Sequence, residues 1–192
     1  MMAAPRYHHL TRTDQWPPAA CINSFRRCKH PIPKYFTLHG LWPSNRALPH
    51  PEWCTPPLFD PNEIVGLVSK LSVEWPNLFG ADEILWRHQW EKHGSCTPFK
   101  EYDYFKLGIE LMEEFNLTAI LENNAIIPRV APYRTQDISD AIEYSNLGVK
   151  PSLICVGVFL TEIKLCLDPL AQKYKVCPYL SKNCPNKLHL ST

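Results

Sequence analysis

The stretch LICVGVFLTEIKLCL, residues 153–167, indicates most directly how the chain folds. Two runs rich in apolar and β-branched residues, 153–160 and 162–167, lie close enough together to pair as antiparallel strands. The first run is also the longest uncharged apolar stretch, and it is far too short to cross a bilayer. These residues therefore predict an antiparallel sheet and exclude a membrane-spanning protein.

Helical patterns occupy the middle of the chain. Asp60, followed by proline, is typical of a helix cap, and apolar residues then recur at helical spacing until Trp75. Thr97, also followed by proline, opens a second helix, and a third runs from about Thr135 toward Gly148. Because the helices cluster between strands at both ends, the order favours a single α+β domain over a doubly wound parallel sheet.

Composition excludes several classes of protein. The 192 residues fit one domain, and an apolar share of 45% with 20% charged residues is ordinary for a globular protein, not a disordered chain. Lysine and arginine total 20 against 19 acidic residues, so the net charge of +1 gives no long-range attraction to nucleic acid or acidic membranes. Any site for a polyanion must therefore be local.

The eight cysteines indicate a chain held together by disulfides. None forms a C-x-x-C pair, which zinc knuckles usually need, so four disulfides and an oxidising compartment are the better interpretation. The sequence alone leaves all 105 connectivities open. Residues 1–10 hold no apolar run that could serve as a signal peptide, so either the export signal is missing from this chain or the protein is not exported. Asn116 lies in an N-x-S/T sequon, which suits a secreted glycoprotein.

Two segments contain the histidines of interest: FTLHGLWPSN at residues 36–45 and WRHQWEKHGSC at residues 86–96. The first begins with aromatic and β-branched residues and is interrupted by Gly40 and Pro43, which predicts that His39 lies at the end of a strand. The adjacent histidines His8 and His9 lie in no comparable motif and are expected at the surface.

The second segment is predicted to be helical. At about 100° per residue, His88, Gln89, Lys92 and His93 share one side of the helix, whereas Glu91 points away. A metal site is disfavoured, because the two histidines are five residues apart and the lysine between them would repel a cation. Acid and base chemistry on a phosphate fits better, since the ribose 2′-OH of RNA supplies its own nucleophile and imidazoles transfer protons near neutrality.

The two segments together resemble a known family. F-T-x-H-G-L-W-P, followed about fifty residues later by W-x-H-[E/Q]-W-x-K-H-G-x-C, is similar to the active-site segments of the ribonuclease T2 family. The resemblance extends from Q-W-P-P at residues 15–18 to L-C-L-D at residues 165–168 and the cysteines that follow, and so covers roughly residues 15–190. It is greatest to plant members, which include secreted S-like ribonucleases and the S-RNases of self-incompatibility.

The resemblance implies a role for each matching residue. His39 would be the general acid toward the leaving 5′ oxygen and His93 the general base on the 2′-OH. His88 would hold the phosphate, Lys92 would stabilise the transition state, and Trp42 would form part of a base-binding wall. The family has an α+β fold with an antiparallel sheet, uses no metal or other cofactor, and makes 2′,3′-cyclic phosphates.

Further expectations follow from the same resemblance. Gln15 would contact a second base, and Gln89 belongs to the catalytic set, although the family usually has glutamate there and an amide cannot exchange a proton. Trp86 and Trp90 are expected in the core. The implied disulfides are Cys54–Cys96, Cys155–Cys184, Cys166–Cys177 and Cys21–Cys28.

The sequence thus predicts an irregular segment over residues 1–14 and a ribonuclease T2-like domain over residues 15–190. The expected protein is a secreted, monomeric, metal-independent endoribonuclease that acts on single-stranded RNA and leaves DNA intact, because DNA lacks the 2′-OH. Two alternatives stay open: an S-RNase-type recognition protein with a protein partner, and a weakly active or inactive relative, which Gln89 suggests.

Overall fold

The computed structural model describes residues 7–54 and 58–192. Its main sheet is antiparallel, with the strand order β2-β1-β5-β4 and a short β6 paired to β5. Two further short strands pair with each other as β3 and β7. The strands are β1 (His9–Gln15), β2 (Thr37–Ser44), β3 (Tyr133–Arg134), β4 (Ser152–Val156), β5 (Phe159–Leu167), β6 (Tyr174–Lys175) and β7 (Lys187–Leu188).

The helices lie mostly between β2 and β4 in the sequence, as predicted. A 3₁₀ helix at Pro61–Leu67 leads directly into α2, and its cap is Asp60, whose side chain accepts a hydrogen bond from the Asn62 amide. A 3₁₀ turn at Gly94–Cys96 follows the third helix. The α-helices are α1 (Pro17–Ile22), α2 (Val68–Glu74), α3 (Asp82–Lys92), α4 (Glu101–Glu114), α5 (Leu117–Asn123) and α6 (Thr135–Glu143).

Two hydrophobic clusters connect the helices to the sheet. One joins α5 and α6 to β4 and β5 through residues such as Leu121, Ile142 and Ile163. The other joins α2, α3 and α4 to β1 and β2, and it contains Trp86 and Trp90, which are buried as expected. The α+β class predicted from the order of elements is therefore confirmed.

The disulfides also match the expected pairing. Cys21–Cys28, Cys54–Cys96, Cys155–Cys184 and Cys166–Cys177 are all formed, and no free cysteine remains in the described part of the chain. Within the same residues, no helix combines the length and apolar character that a membrane span requires.

The prediction of an irregular segment at residues 1–14 is wrong for the part that the structure describes. β1 lies between β2 and β5, and all seven of its residues are buried. Its polar sequence is compatible with burial because Arg12 and Asp14 form an ion pair of 2.6 Å, with both side chains fully buried. Arg12 also donates to the Phe115 carbonyl at 2.9 Å, beyond the end of α4. Residues 1–6 of the predicted segment lie outside the described residues.

Two strand boundaries differ from the predictions. β2 continues through Gly40 and Pro43 to Ser44, so His39 lies inside a strand and not at its end. Proline is tolerated there because β2 is at an edge of the sheet. The turn between β4 and β5 falls at Gly157, which has a φ of +59°, and so divides the run that was predicted as one strand over residues 153–160.

Candidate active site

A cavity of about 690 Å³ lies between the sheet and α3. It brings together side chains from two segments that are about fifty residues apart in the sequence. Residues predicted for catalysis or substrate binding that line it are His39, Trp42, His88, Gln89, Lys92 and His93.

On the strand side of the cavity, His39 is held by a carboxylate. Its Nδ1 lies 2.7 Å from Oε1 of Glu162, which comes from β5. The backbone is fixed as well, since the Trp75 indole donates to the His39 carbonyl at 3.0 Å. The sequence analysis missed Glu162, although an acidic residue within the largely apolar run 153–167 was a signal that could have identified it.

Glu162 is a counter-ion for the His39 imidazole. Burial alone would raise the pKa of this carboxyl, but the hydrogen bond and charge of His39 and the charge of Lys164 outweigh it, so the pKa lies below its ordinary value. An ionised carboxylate only accepts hydrogen bonds, so Nδ1 of His39 must carry the shared proton. Nε2 is then the nitrogen left to meet a substrate.

On the helix side, residues at the end of α3 line the cavity. His88 and Lys92 lie in the last turn and a half of the helix, and His93 is the residue that ends it, with its amide donating to the Gln89 carbonyl at 3.0 Å. The sequence analysis predicted that these side chains share one side of the helix, and all of them do line the cavity.

His93 and His88 are disposed to be neutral. Burial, reinforced by the charge of Lys92 and by the neighbouring histidines, lowers the pKa of His93 to about 3. The pKa of His88 is lowered as well, first by burial and then by Lys92. Nδ1 of His93 is buried and has no hydrogen-bond partner in the described chain. On the helix side, burial and the ammonium of Lys92 thus favour neutral imidazoles, whereas His39 on the strand side has a carboxylate partner.

Trp42 lies beside both catalytic candidates. Its ring centroid is 5.2 Å from that of His39 and 5.4 Å from that of His93. The indole donates to Oε1 of Gln89 at 2.9 Å, so the amide that replaces the expected glutamate fixes the tryptophan. A side chain at Gly40 would collide with this pair, because an added Cβ would lie 2.6 Å from the same Oε1.

The segment before Cys54 closes one wall of the site. Glu52 lies 3.5 Å from the ammonium of Lys92, and the ring of Trp53 meets that of His88 edge to face at 5.5 Å. The disulfide from Cys54 to Cys96 joins this wall to the turn that follows α3.

Gln15 is largely buried in β1, where it pairs with Thr37 and Glu162, and its contact with a second base stays a prediction. One histidine is not where the sequence placed it. His9, which was expected at the surface, is buried and lines the cavity. Burial, followed by the charges of Lys175 and other basic neighbours, lowers the pKa of His9 to about 4. Local sequence could not show this, because β1 is covered by strands that come later in the chain.

Comparison with known proteins identifies the class. The model of the ribonuclease T2 family matches residues 7–177. Ribonuclease DdI of Dictyostelium discoideum is 38% identical over 150 residues, which cover 76% of this chain and 67% of the relative. Ribonuclease S-7 of Pyrus pyrifolia is 33% identical over 190 residues, covering 93% and 84%. The crystal structure of RNase NT in complex with 5′-AMP superposes with a TM-score of 0.89 at 29% identity, covering 96% of this chain and 98% of that one.

Fold, cavity and relatives together define a disulfide-bonded RNA-cleaving enzyme. The chain belongs to the ribonuclease T2 family, as the resemblance of its two histidine segments predicted.

Proposed function

We propose that this ribonuclease cleaves single-stranded RNA by transphosphorylation, with His93 as general base and His39 as general acid. The observation that carries the proposal is that both imidazoles line one cavity beside Trp42, His39 against the Glu162 carboxylate and His93 buried beside Lys92. The ribose 2′-OH is the nucleophile, so no group of the protein becomes covalently attached to the substrate.

His93 is suited to accept the proton of the 2′-OH. Its lowered pKa keeps the ring neutral, which is the form a base requires. A base with so low a pKa is weak in the empty enzyme, but the negative charge of a bound phosphodiester would raise the pKa of His93 toward its ordinary value. Substrate binding would therefore strengthen the base when it is needed. The 2′ oxygen then forms a bond to phosphorus.

His39 is suited to donate a proton to the 5′ oxygen as the bond from phosphorus to that oxygen breaks. The Glu162 carboxylate, 2.7 Å from Nδ1, stabilises the imidazolium and directs Nε2 toward the cavity. The products are a 2′,3′-cyclic phosphate on one fragment and a free 5′-OH on the other. His93 has gained one proton and His39 has lost one, so the step balances.

The remaining groups act on the phosphate and the base. Lys92 and His88 line the cavity beside His93, where an ammonium stabilises the charge that builds up on the non-bridging oxygens in the transition state. The exposed part of Trp42, fixed by Gln89, would stack on a nucleobase of a single strand. Gln89 in this role acts through the tryptophan and exchanges no proton, so its presence does not require loss of activity.

The test is incubation of the oxidised protein with single-stranded RNA in excess EDTA, followed by analysis of the product ends. Fragments with 2′,3′-cyclic phosphate are expected, and single-stranded DNA of the same sequence should stay intact because it lacks the 2′-OH. Intact RNA, or cleavage that EDTA abolishes, would contradict the mechanism.

Secretion and glycosylation belong to the same proposal. Four disulfides are typical of proteins made in an oxidising compartment. Asn116 is exposed at the start of α5, and its Oδ1 accepts from the Ala119 amide at 3.0 Å, a bond that a glycan on the side-chain nitrogen would leave in place. Mass spectrometry of the protein from its native source would reveal the glycan, and sedimentation would test the expected monomer. Recognition by a protein partner, as in self-incompatibility, stays an alternative for the biological role.

A further inference from the structure

A second cavity, of about 640 Å³, lies where α6 begins. Four cationic side chains line it: Arg134, Lys150, Lys182 and Lys187. No acidic side chain is among the residues that line it in the described chain. Because the protein as a whole has a net charge of only +1, this concentration of positive charge is a local feature of the fold.

Most of these cations lack a counter-ion. Among residues 7–54 and 58–192, no ion pair engages Lys150, Lys182 or Lys187. The Nε of Arg134 is 3.8 Å from Oδ1 of Asp137, and both side chains are largely exposed, so this contact neutralises little. The cavity is therefore electropositive and available to an anion.

A buried hydroxyl in the wall also lacks a partner. Ser139 of α6 is only 6% exposed, it lines the cavity, and its Oγ has no hydrogen-bond partner in the described chain. Burying a hydroxyl without a partner is costly, so a ligand oxygen that reached this wall would find an unused hydrogen-bonding group.

The cavity adjoins the active site. Leu180 and Ser181 line both cavities. Side chains alternate along the edge strand β4, so that Ser152 and Ile154 line the active-site cavity and Leu153 lines the second one. The two cavities therefore open on opposite faces of this sheet edge, and a strand of RNA would have to pass around β4, over residues 180–181, to occupy both.

The segment between the cavities is firmly held. The amide of Ser181 donates to Oγ of Ser152 at 2.8 Å, and the side chain of Asn183 bonds both to the amide and to the carbonyl of Cys155. The disulfide from Cys155 to Cys184 closes the same region. The second cavity therefore has a fixed position relative to His39 and His93.

We infer that this second cavity is an RNA exosite, which holds phosphates of the substrate strand beyond the one that is cleaved. The inference rests on the proposed function and adds to it that longer RNA is a better substrate than a dinucleotide. The ligand is an RNA backbone in preference to an acidic protein because the cavity shares Leu180 and Ser181 with the active-site cavity. Its contribution is electrostatic and independent of base sequence.

The variant Lys150→Gln/Lys182→Gln tests the exosite, with a dinucleotide and a 12-nucleotide RNA as substrates. Each lost phosphate contact weakens binding uniformly across sequences, so we expect kcat/KM for the 12-mer to fall about three- to tenfold. The constants for the dinucleotide, which is too short to span both cavities, should not change. The control is Lys34→Gln/Lys100→Gln, which removes the same charge from exposed lysines outside both cavities.

Equal loss in the control, or an unchanged rate on the 12-mer, would overturn the exosite. A 12-nucleotide DNA serves as an uncleavable probe, with affinity measured by fluorescence anisotropy as salt increases. The slope of log affinity against log salt should fall by about 1.4 in the double variant, since each of two lost contacts to a single strand contributes about 0.7. If the wild type does not cleave RNA, the proposed function is contradicted. The salt dependence of DNA binding still tests the exosite in that case, because it does not require cleavage.

Discussion

The strand side and the helix side of the active-site cavity use the same side chain in different surroundings. His39 on β2 has an ionised carboxylate, Glu162, at 2.7 Å. His93 at the end of α3 has Lys92 and other histidines as neighbours, and burial with these charges lowers its pKa to about 3. One imidazole therefore has a carboxylate partner, and the other is kept neutral by burial and by neighbouring charge.

This difference supports the proposed roles of His39 as acid and His93 as base. A pair of titratable groups whose surroundings favour opposite protonation states can serve as donor and acceptor in one reaction. Helix geometry alone grouped His88, Lys92 and His93, but it could not distinguish their tasks from that of His39. The distinction depends on Glu162, a residue about 120 positions away from His39 in the sequence.

Removal of either imidazole should have the largest effect. His39→Ala and His93→Ala are each expected to reduce kcat/KM on RNA by about 10²- to 10⁴-fold, since each removes one proton transfer. Single-turnover release of the cyclic phosphate measures the loss. Normal circular dichroism spectra would show that the variants fold.

The comparison can be sharpened with a different leaving group. A nucleoside 3′-aryl phosphate expels a stable phenolate, which needs no proton from a general acid. His39→Ala should regain most of its activity on that substrate, whereas His93→Ala should not, because the 2′-OH still requires a base. Equal rescue of both variants would contradict the assignment of roles.

Glu162→Gln should have the next largest effect. The amide keeps a hydrogen-bonding group beside His39 but removes its counter-ion, so the imidazolium loses its proton more readily. We expect kcat to fall between about tenfold and a hundredfold, and the basic limb of the pH–rate profile to move to lower pH. Glu162→Asp, which retains the charge, should retain the position of that limb. A uniform loss at every pH would show that Glu162 only supports the fold.

Much of the site could be predicted from sequence because its residues lie in two short segments. Helical spacing predicts that His88 and His93 line one cavity with Lys92 between them, and the structure agrees. The four disulfide pairings came from the family resemblance and are confirmed, although spacing alone left every connectivity open.

The residues that were missed owe their positions to contacts between distant parts of the chain. β1 contains Arg12 and Asp14, in a polar stretch that was predicted to be irregular, but these side chains bond to each other and to the end of α4 in the interior. The same burial makes His9 part of the cavity. Local hydrophobic patterns cannot reveal partners that are a hundred residues away.

Gln89 offers a smaller test of the helix side. Gln89→Glu can still accept the indole hydrogen bond of Trp42, but its negative charge beside Lys92 and His93 would raise the pKa of His93. The acid limb of kcat/KM should move to higher pH, with a change of about threefold or less at neutral pH. Gln89→Leu removes the acceptor and should lower kcat/KM about fivefold to tenfold without moving the limb. An identical profile for both variants would contradict this role of Gln89.

The last prediction concerns stability and has the smallest expected effect. It tests whether His39 differs from His93 because it lies on a strand or because it has the Glu162 carboxylate as a partner. His9 is a histidine of the strand side without a carboxylate, and burial with the charge of Lys175 lowers its pKa to about 4. Well above pH 6.5, as at pH 7.5, the ring is largely neutral in both the folded and the unfolded chain, so it contributes little to the pH dependence. Between pH 6 and pH 5 only the unfolded chain takes up the proton, which costs the fold about 1 kcal/mol.

His9→Asn should therefore lose less stability than the wild type as the pH falls through this range. Urea unfolding at pH 7.5, 6 and 5 measures the free energy of unfolding in each case. The matched control is His8→Asn, because His8 is the exposed neighbour that precedes β1 and its replacement should change the slope less than His9→Asn does. Parallel slopes for wild type and His9→Asn would show that His9 finds a counter-ion in solution. If the slopes differ as expected, burial without a carboxylate keeps a histidine neutral on either side of the cavity, and Glu162 is what sets His39 apart.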